Sequence, residues 1–493
     1  ATYQREDGIV MVDNERCVAC AYCVQACPYD ARFINHETLT ADKCTFCAHR
    51  LEVGLLPACV ESCVGGARVI GDLNDPNSEI NRLLTLHKDD IKVLKPEAKT
   101  KPHVFYLAVC FKSRRQRRDS RCERSKIMAI TEILVSAQET VWLHWAVQYF
   151  FYIGAGFAAA LLFFIAVCAP KMTSHRLRSA LALVLAICGA VGPLALTAEL
   201  HQPGRAWHFF VYLTPSSWMS RGSLLLPLFS LCAIGAAWLY LREDLKAAKT
   251  QANPAIRLVS YLSLGQWQTS QTLMRIVAAI TVVSGLSIAI YTGSEVYTVA
   301  SRPLWHQLIS PVLWFITAFP VAAGMTAVML CFMSSDNAAS EDYGLLKKAT
   351  LLTAFISLLL LPLWIVNGDG LALLHYTQWQ WRFALLCLLF LLSIVSAWRL
   401  TSRPSALLIF AGCGLAPGWS IRWVTLRNVQ SIPRNDAGLF PQTLSLGSDG
   451  LLGILAMAGL WLALAAITSS VSEFTTDSNR QINQAMLEES HHE

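Results

Sequence analysis

The sequence predicts two regions of opposite character: a short α+β region at the amino end, then an all-α polytopic membrane bundle of about nine helices. Three observations predict this. Of 493 residues, 54% are hydrophobic and 15% charged, against about 25% charged in soluble globular domains. Eight of the sixteen cysteines fall between Cys17 and Cys63. From about Trp142 onward, long apolar stretches alternate with short polar breaks. Such a composition excludes disorder, collagen, a coiled coil and an ordinary soluble enzyme. Most of the chain belongs in lipid.

The charge is local. Residues 112–126 (KSRRQRRDSRCERSK) hold eight Lys/Arg and two acids, which accounts for the whole formal net charge of +6. The remainder is neutral by count, so there is no basic face for a nucleic acid and none is expected as a partner. The composition therefore divides the chain into a soluble region at 1–107, a basic junction at 108–129, a membrane region at 130–472 and a polar tail at 473–493.

The cysteines define the first region. Cys17, Cys20, Cys23 and Cys27, followed by Pro28, follow C-x2-C-x2-C-x3-C-P, the bacterial [4Fe-4S] spacing. Three thiolates on one tight loop reach three corners of a cubane, and the fourth points away past a turn. Cys44, Cys47, Cys59 and Cys63 repeat the pattern with an eleven-residue insertion before the third ligand. Zinc takes tetrahedral C-x2-C pairs and has no use for a third Cys at x2 and a fourth before Pro. Disulfides would waste the paired spacing. These eight cysteines are the expected metal ligands, holding up to two [4Fe-4S] clusters in a ferredoxin-like α+β domain. In a two-cluster ferredoxin, Cys17, Cys20 and Cys23 join Cys63, while Cys44, Cys47 and Cys59 join Cys27. The six cysteines scattered through apolar runs, such as Cys188 and Cys331, read as small core residues.

A helix needs about 20 apolar residues to cross a bilayer. Nine stretches qualify, near 144–168, 179–200, 220–241, 272–293, 305–333, 349–370, 381–398, 404–424 and 448–470. The seventh is short, and the eighth carries Gly412, Gly414, Pro417 and Gly418. With the first span entering from outside, ionisable and polar groups gather at the outer ends: His144, Gln148, Tyr149, Glu199, His201, Arg205, Tyr291, Glu295 and Asp369. Intramembrane ionisable groups are costly and point to function. Trp, Tyr, Arg and His also belong at interfaces for ordinary reasons, so no one residue carries the reading. As a set they suit a quinol site, which needs a carboxylate or His as base and hydrogen-bond partners for the ring oxygens. Glu199 and Glu295 lie against apolar helix ends, with Arg205 and Arg302 as candidate ion-pair partners. A transmembrane dihaem needs His pairs deep in facing helices. Here His201, His208, His306 and His375 sit at span ends or in loops, so no haem is expected.

Loop charges set the orientation. With the amino end outside, inner loops carry Lys171, Arg176, Arg178, Arg242, Lys246, Lys249, Arg257, Lys347, Lys348, Arg399 and Arg403. Outer loops carry Arg205, Arg302, Arg427 and Arg434. The positive-inside rule then puts the cysteine region on the periplasmic side of a bacterial cytoplasmic (inner) membrane. The basic segment upstream of the first span disagrees. It reads either as a membrane-surface patch or as a junction between two once-separate polypeptides; Met128-Ala-Ile-Thr-Glu-Ile resembles a fresh start. Residue 1 is Ala and no signal peptide is visible, so the beginning reads as cut.

The stretch CVACAYCVQACPYDARFIN with DKCTFCAHRLEVGLLPACVESCVGGARVIGDL resembles the second half of the four-cluster electron-transfer subunits that accompany molybdopterin oxidoreductases, of the tetrathionate reductase kind. Residues 142–154 (WLHWAVQYFFYIG), 193–209 (PLALTAELHQPGRAWHF), 290–296 (IYTGSEV), 301–305 (SRPLW), 420–433 (SIRWVTLRNVQSIP) and 447–454 (GSDGLLGI) resemble the polysulfide-reductase, NrfD-type, membrane-anchor family. The resemblance covers nearly all of 130–470. It implies quinol or menaquinol oxidation near the outer face without haem, and a separate molybdopterin catalytic subunit. It also implies that the two Cys runs, counterparts of the family's third and fourth, pair with two runs not present here, against the mutual pairing above. The expected function is electron transfer from quinol through [4Fe-4S] clusters in tetrathionate respiration. Polysulfide, thiosulfate or nitrite reduction is the alternative, and an inactive truncated fusion or gene-model artefact is the alternative of another class.

Overall fold

A computed structural model of the chain describes residues 1–107, 140–247, 249, 257–258, 260–265, 267–333, 342–368, 370–434, 439–440 and 442–490. Side chains are described for these except at 247, 342 and 472–490. The basic junction and Asp369 lie outside the described residues. The chain divides into two compact units: Ala1–Val141 with Ile432–Pro441, and Trp142–Ser431 with Gln442–Glu493.

The first unit is the α+β one. Three short antiparallel ladders pair β1 (Thr2–Gln4) with β2 (Val10–Val12), β3 (Arg32–Ile34) with β4 (Ala41–Lys43), and β5 (Ile91–Lys92) with β6 (Tyr106–Leu107). Between them run α1 (Tyr22–Ala26), α2 (Ala48–Leu51), α3 (Ala58–Glu61) and α4 (Glu79–Leu86). Local chemistry sets three of the boundaries. The Asn35 Oδ1 accepts from the Glu37 N–H and turns β3 into β4. Pro28 keeps Cys27 extended and ends α1. Ser78 caps α4 by accepting from the Asn81 N–H. The buried core is small: Cys17, Ala19, Ala21, Val24, Ala41, Ala48 and Phe440, with Gln25, Thr40 and Arg434 among them. A core of this size needs a staple, and in small domains metal supplies one.

The second unit is all helical. Among the described residues, nine helices are long and apolar enough to cross a membrane: His144–Cys168, His175–Glu199, Trp218–Lys246, Gln271–Tyr297, Ile309–Phe332, Tyr343–Asn367, Thr377–Trp398, Pro404–Asn428 and Leu451–Val471. All nine expected spans are present. Ser174 and Ser270 start the second and fourth by capping Leu177 N and Leu273 N at 3.1 Å. The fifth is broken at Thr317 into Ile309–Ile316 and Ala318–Phe332. The eighth closes in a π-helical turn, Trp423–Asn428; such turns mark functional or strained places. The ninth helix continues to Ser490, through most of the stretch expected as a polar tail. The first, second and fifth spans are the most enclosed, and the seventh and ninth the least. Outward leucines such as Leu231, Leu352 and Leu388 remain exposed, as lipid-facing side chains do.

Candidate functional site

The two Cys runs are built alike. In the first, Ala19 and Ala21 have φ of 55°; in the second, Phe46 and Cys47 have φ of 53° and 51°. Left-handed residues at these places bend successive backbone N–H groups inward, forming the concavity that suits an anionic group. Cys17 is buried, Cys20, Cys23, Cys27, Cys47 and Cys63 are half-buried, and Cys44 and Cys59 are exposed. The Cys63 sulfur accepts from the Ala67 N–H at 3.3 Å. Amide hydrogen bonds from Ala67, Arg68 and Gly65 pull its thiol below the ordinary range, favouring the thiolate that ligates metal. Burial pushes the Cys23 thiol up, opposed by Arg32. Among the described residues no three His, Cys, Asp or Glu side chains converge on a single ion. Wrapped loops and a stabilised thiolate fit an iron–sulfur cluster.

Pairing is also constrained. The β3–β4 ladder sets Arg32 opposite Lys43, so Cys44 and the chain after Cys27 meet at one end of the hairpin. Burial pushes the Lys43 ammonium down, aided by Arg32 and opposed by Cys44, Asp42 and Cys27. Cys27 and Cys44 thus both lie within electrostatic range of Lys43.

In the helical unit, three polar side chains on the first span are orphaned. Both ring nitrogens of His144, both amide atoms of Gln148 and the Tyr149 hydroxyl are buried with no hydrogen-bond partner among the described residues. His144 lies 4.5 Å from the Trp145 ring, centroid to centroid, and faces the Asp449 backbone without reaching hydrogen-bond geometry. Buried polar atoms are nearly always satisfied, so such a group calls for an explanation.

Glu199 is not orphaned. Its two oxygens accept from the backbone N–H groups of Leu143 (2.7 Å) and Ala146 (2.8 Å). The cation in electrostatic range is Arg427, where sequence reasoning offered Arg205 and Arg302 as candidate partners of the two glutamates. Tyr149 and Tyr291 both stand within range of the Glu295 carboxylate. The Tyr291 hydroxyl donates to Met219 Sδ at 3.9 Å, a weak acceptor. Arg302 donates to Val429 O at 2.8 Å.

Tyr291 also lines a cavity of about 460 Å³ between the second and third spans, with Pro193, Thr197, Ser223, Pro227 and Phe210 on its wall. Each intrahelical proline removes one backbone hydrogen bond, leaving the carbonyls of Gly189 and Ser223 without that partner; both residues line the cavity. The volume lies in the range of small-molecule sites. Gly222 has no side chain to spare: a Cβ there would fall on the Tyr291 ring and hydroxyl.

The structure thus gathers His144 and Glu199 with Arg427 and Asp449, and Tyr149 with Tyr291 and Glu295. His201 and Arg205 stand half-buried in the loop after the second span. Sequence reasoning left out Asp449 and the chamber, and took Arg427 as a loop charge. Pro193 and Pro227, two intramembrane prolines, were the available signal for the chamber.

Comparison with known proteins matches both halves. Residues 1–73 match the 4Fe-4S dicluster domain, so the first unit is an iron–sulfur domain. The B subunit of the tetrathionate reductase of Salmonella typhimurium is 78% identical over 109 residues, 22% of this chain and 44% of that protein. The chain therefore spans less than half the length of that relative. The C subunit of the same organism's tetrathionate reductase is 33% identical over 355 residues, 69% of this chain and 94% of that protein. Protein NrfC of Escherichia coli is 56% identical over 78 residues, 16% of this chain and 35% of that protein. Residues 133–433 match the family described as polysulphide reductase, NrfD, and the chain belongs to that family of polytopic membrane proteins, with an iron–sulfur domain ahead of it.

Proposed function

We propose that the chain oxidises a membrane quinol, menaquinol among them, and passes its electrons through [4Fe-4S] clusters to a separate molybdopterin-type catalytic subunit. The eight cysteines from Cys17 to Cys63 hold the clusters. Cys27 completes the set of Cys44, Cys47 and Cys59, and Cys63 completes that of Cys17, Cys20 and Cys23; the β3–β4 hairpin and the neighbourhood of Lys43 support this mutual pairing. When bound, the clusters supply one-electron transfer.

The observation that carries the quinol reading is the apolar chamber ending at Tyr291, with the buried Glu295 one helical turn beyond it. Oxidation of a quinol to a quinone releases two electrons and two protons. Tyr291 takes one proton from a quinol hydroxyl while giving its own to Glu295, and the second follows the same route once Glu295 has released the first to water, so that both electrons leave without charge building up on the ring. Tyr149, in range of Glu295, offers a donor to the ring oxygens. His144 and Gln148, one helical turn apart, present further unsatisfied groups on the same span. Glu199 serves the fold rather than the proton. No haem takes part.

The terminal acceptor we infer is tetrathionate, because both relatives that together span the chain belong to tetrathionate reductase. The loop charges support a bacterial cytoplasmic membrane location with the iron–sulfur unit on the periplasmic side. The test is direct. Full-length chain with reconstituted clusters is mixed with a water-soluble menaquinol analogue, and bleaching of the cluster absorbance is followed. Wild type bleaches; Glu295→Gln and Tyr291→Phe bleach on the order of 100-fold more slowly. Equal rates in all three refute the chamber as the quinol site.

A further inference from the structure

Arg434 belongs to the first unit, though it lies more than four hundred residues from the loop it holds. Its guanidinium is nearly fully enclosed, with 4% of the side chain exposed. Nη1 donates to the carbonyls of Val24 (3.1 Å) and Cys27 and to Asp30 Oδ1 (2.5 Å); Nη2 donates to the Gln25 carbonyl at 2.7 Å. These are the carbonyls that a five-residue helix such as α1 cannot satisfy internally. Asp30 itself sits in the left-handed region at φ 52°, a conformation that Asp adopts more readily than most residues. The Arg434 carbonyl in turn accepts from Lys95 Nζ. The residue is thus clamped from both sides and clamps the Cys27 turn.

We propose that Arg434 is a positioning residue for the cluster ligated through Cys27, and that the Arg434–Asp30 pair sets that cluster's reduction potential. The inference rests on the reading of Cys27 as a ligand. A reduced cluster carries one more negative charge than an oxidised one, so a nearby cation favours reduction and a nearby anion opposes it. Two opposite charges held against one ligand turn make the prediction signed and separable.

The experiment is an EPR-monitored redox titration of the full-length chain with reconstituted clusters, together with iron and acid-labile sulfide counts. Arg434→Gln shifts one cluster's midpoint downward and leaves the other unmoved. Asp30→Asn shifts the same midpoint upward. The double variant returns close to wild type, which a merely structural role for Arg434 would not produce. Unmoved midpoints, or both clusters shifting together, in protein with full iron overturn the proposal. If Arg434→Gln loses a cluster, Asp30→Asn alone decides, by raising that midpoint or not. Cys27→Ser is the control for the underlying reading: if it keeps both clusters unchanged, the ligand assignment fails, independently of Arg434.

Discussion

The carboxylate of Glu199, last residue of the second span, accepts the backbone N–H of Ala146 at 2.8 Å and of Leu143 at 2.7 Å. The first span begins at His144 with Leu143 as its N-cap, whose side chain can accept nothing. Glu199 therefore caps another helix, and its negative charge meets the positive end of that helix's dipole.

Glu199→Gln tests this. The amide keeps one acceptor and presents an NH₂ to the second backbone N–H, leaving a buried donor unmade at a cost of about 1–3 kcal/mol. A lower thermal midpoint in detergent is expected, with turnover against quinol largely kept. Glu295→Gln should do the reverse. A large turnover loss in Glu199→Gln with unchanged stability would reassign Glu199 to chemistry.

Gly222→Ala tests the wall of the chamber. The new methyl falls on the Tyr291 ring and hydroxyl, so the ring must leave its present place. Misplacing a reacting group by about 1 Å can cost on the order of 100-fold in rate. Cluster bleaching by quinol should slow by that order while the iron count and the cluster spectra stay as in wild type.

What the sequence disclosed, and what it withheld, follows the range of the forces involved. Ligand spacing is local: Cys17 to Cys27 lie on one loop, and thiolate geometry can be read from eleven letters. Apolar length is also local, and each of the nine spans appears where the bilayer argument set it, with ends displaced by a few residues. The break at Thr317 and the π-turn at Trp423–Asn428 depend on neighbouring helices and left no clear mark beyond Pro417 and Gly418. Glu199 looked like a proton acceptor because its capping partners lie 53 and 56 residues away. Arg434 looked like an ordinary loop charge, since nothing in its own neighbourhood announces Val24, Cys27 and Asp30.

Serine substitutions read the cluster pairing. Cys20→Ser should remove or alter one EPR signal and Cys47→Ser the other, each with a loss of up to about four iron atoms per chain. With mutual pairing, Cys27→Ser reproduces the Cys47→Ser spectrum, not that of Cys20→Ser. If Cys27→Ser and Cys63→Ser both leave the spectra intact, these two fourth ligands serve clusters outside this set.

Arg422 gives the strongest packing prediction. It is 1% exposed, and among the described residues it has no acidic partner at ion-pair distance. Its charge is dispersed over oxygens of three spans: Nε donates to Phe150 O (2.9 Å), Nη1 to Gly418 O (2.8 Å) and Thr317 Oγ1 (3.3 Å), and Nη2 to Trp314 O (3.1 Å). Thr317 is the residue at which the fifth span breaks, and Gly154 leaves the room the guanidinium occupies, since a Cβ there would lie 2.6 Å from Nη2. Gly154→Ala should therefore destabilise by about 1–3 kcal/mol through overpacking. Arg422→Met, which unfastens the three spans while removing the obstacle, should destabilise too. The double variant should cost less than the sum, by about 0.5–3 kcal/mol of coupling, because the new methyl then enters space that methionine has left free. Thermal unfolding of the four proteins in one detergent measures the cycle. Strict additivity would mean that Gly154 is small for some reason other than Arg422.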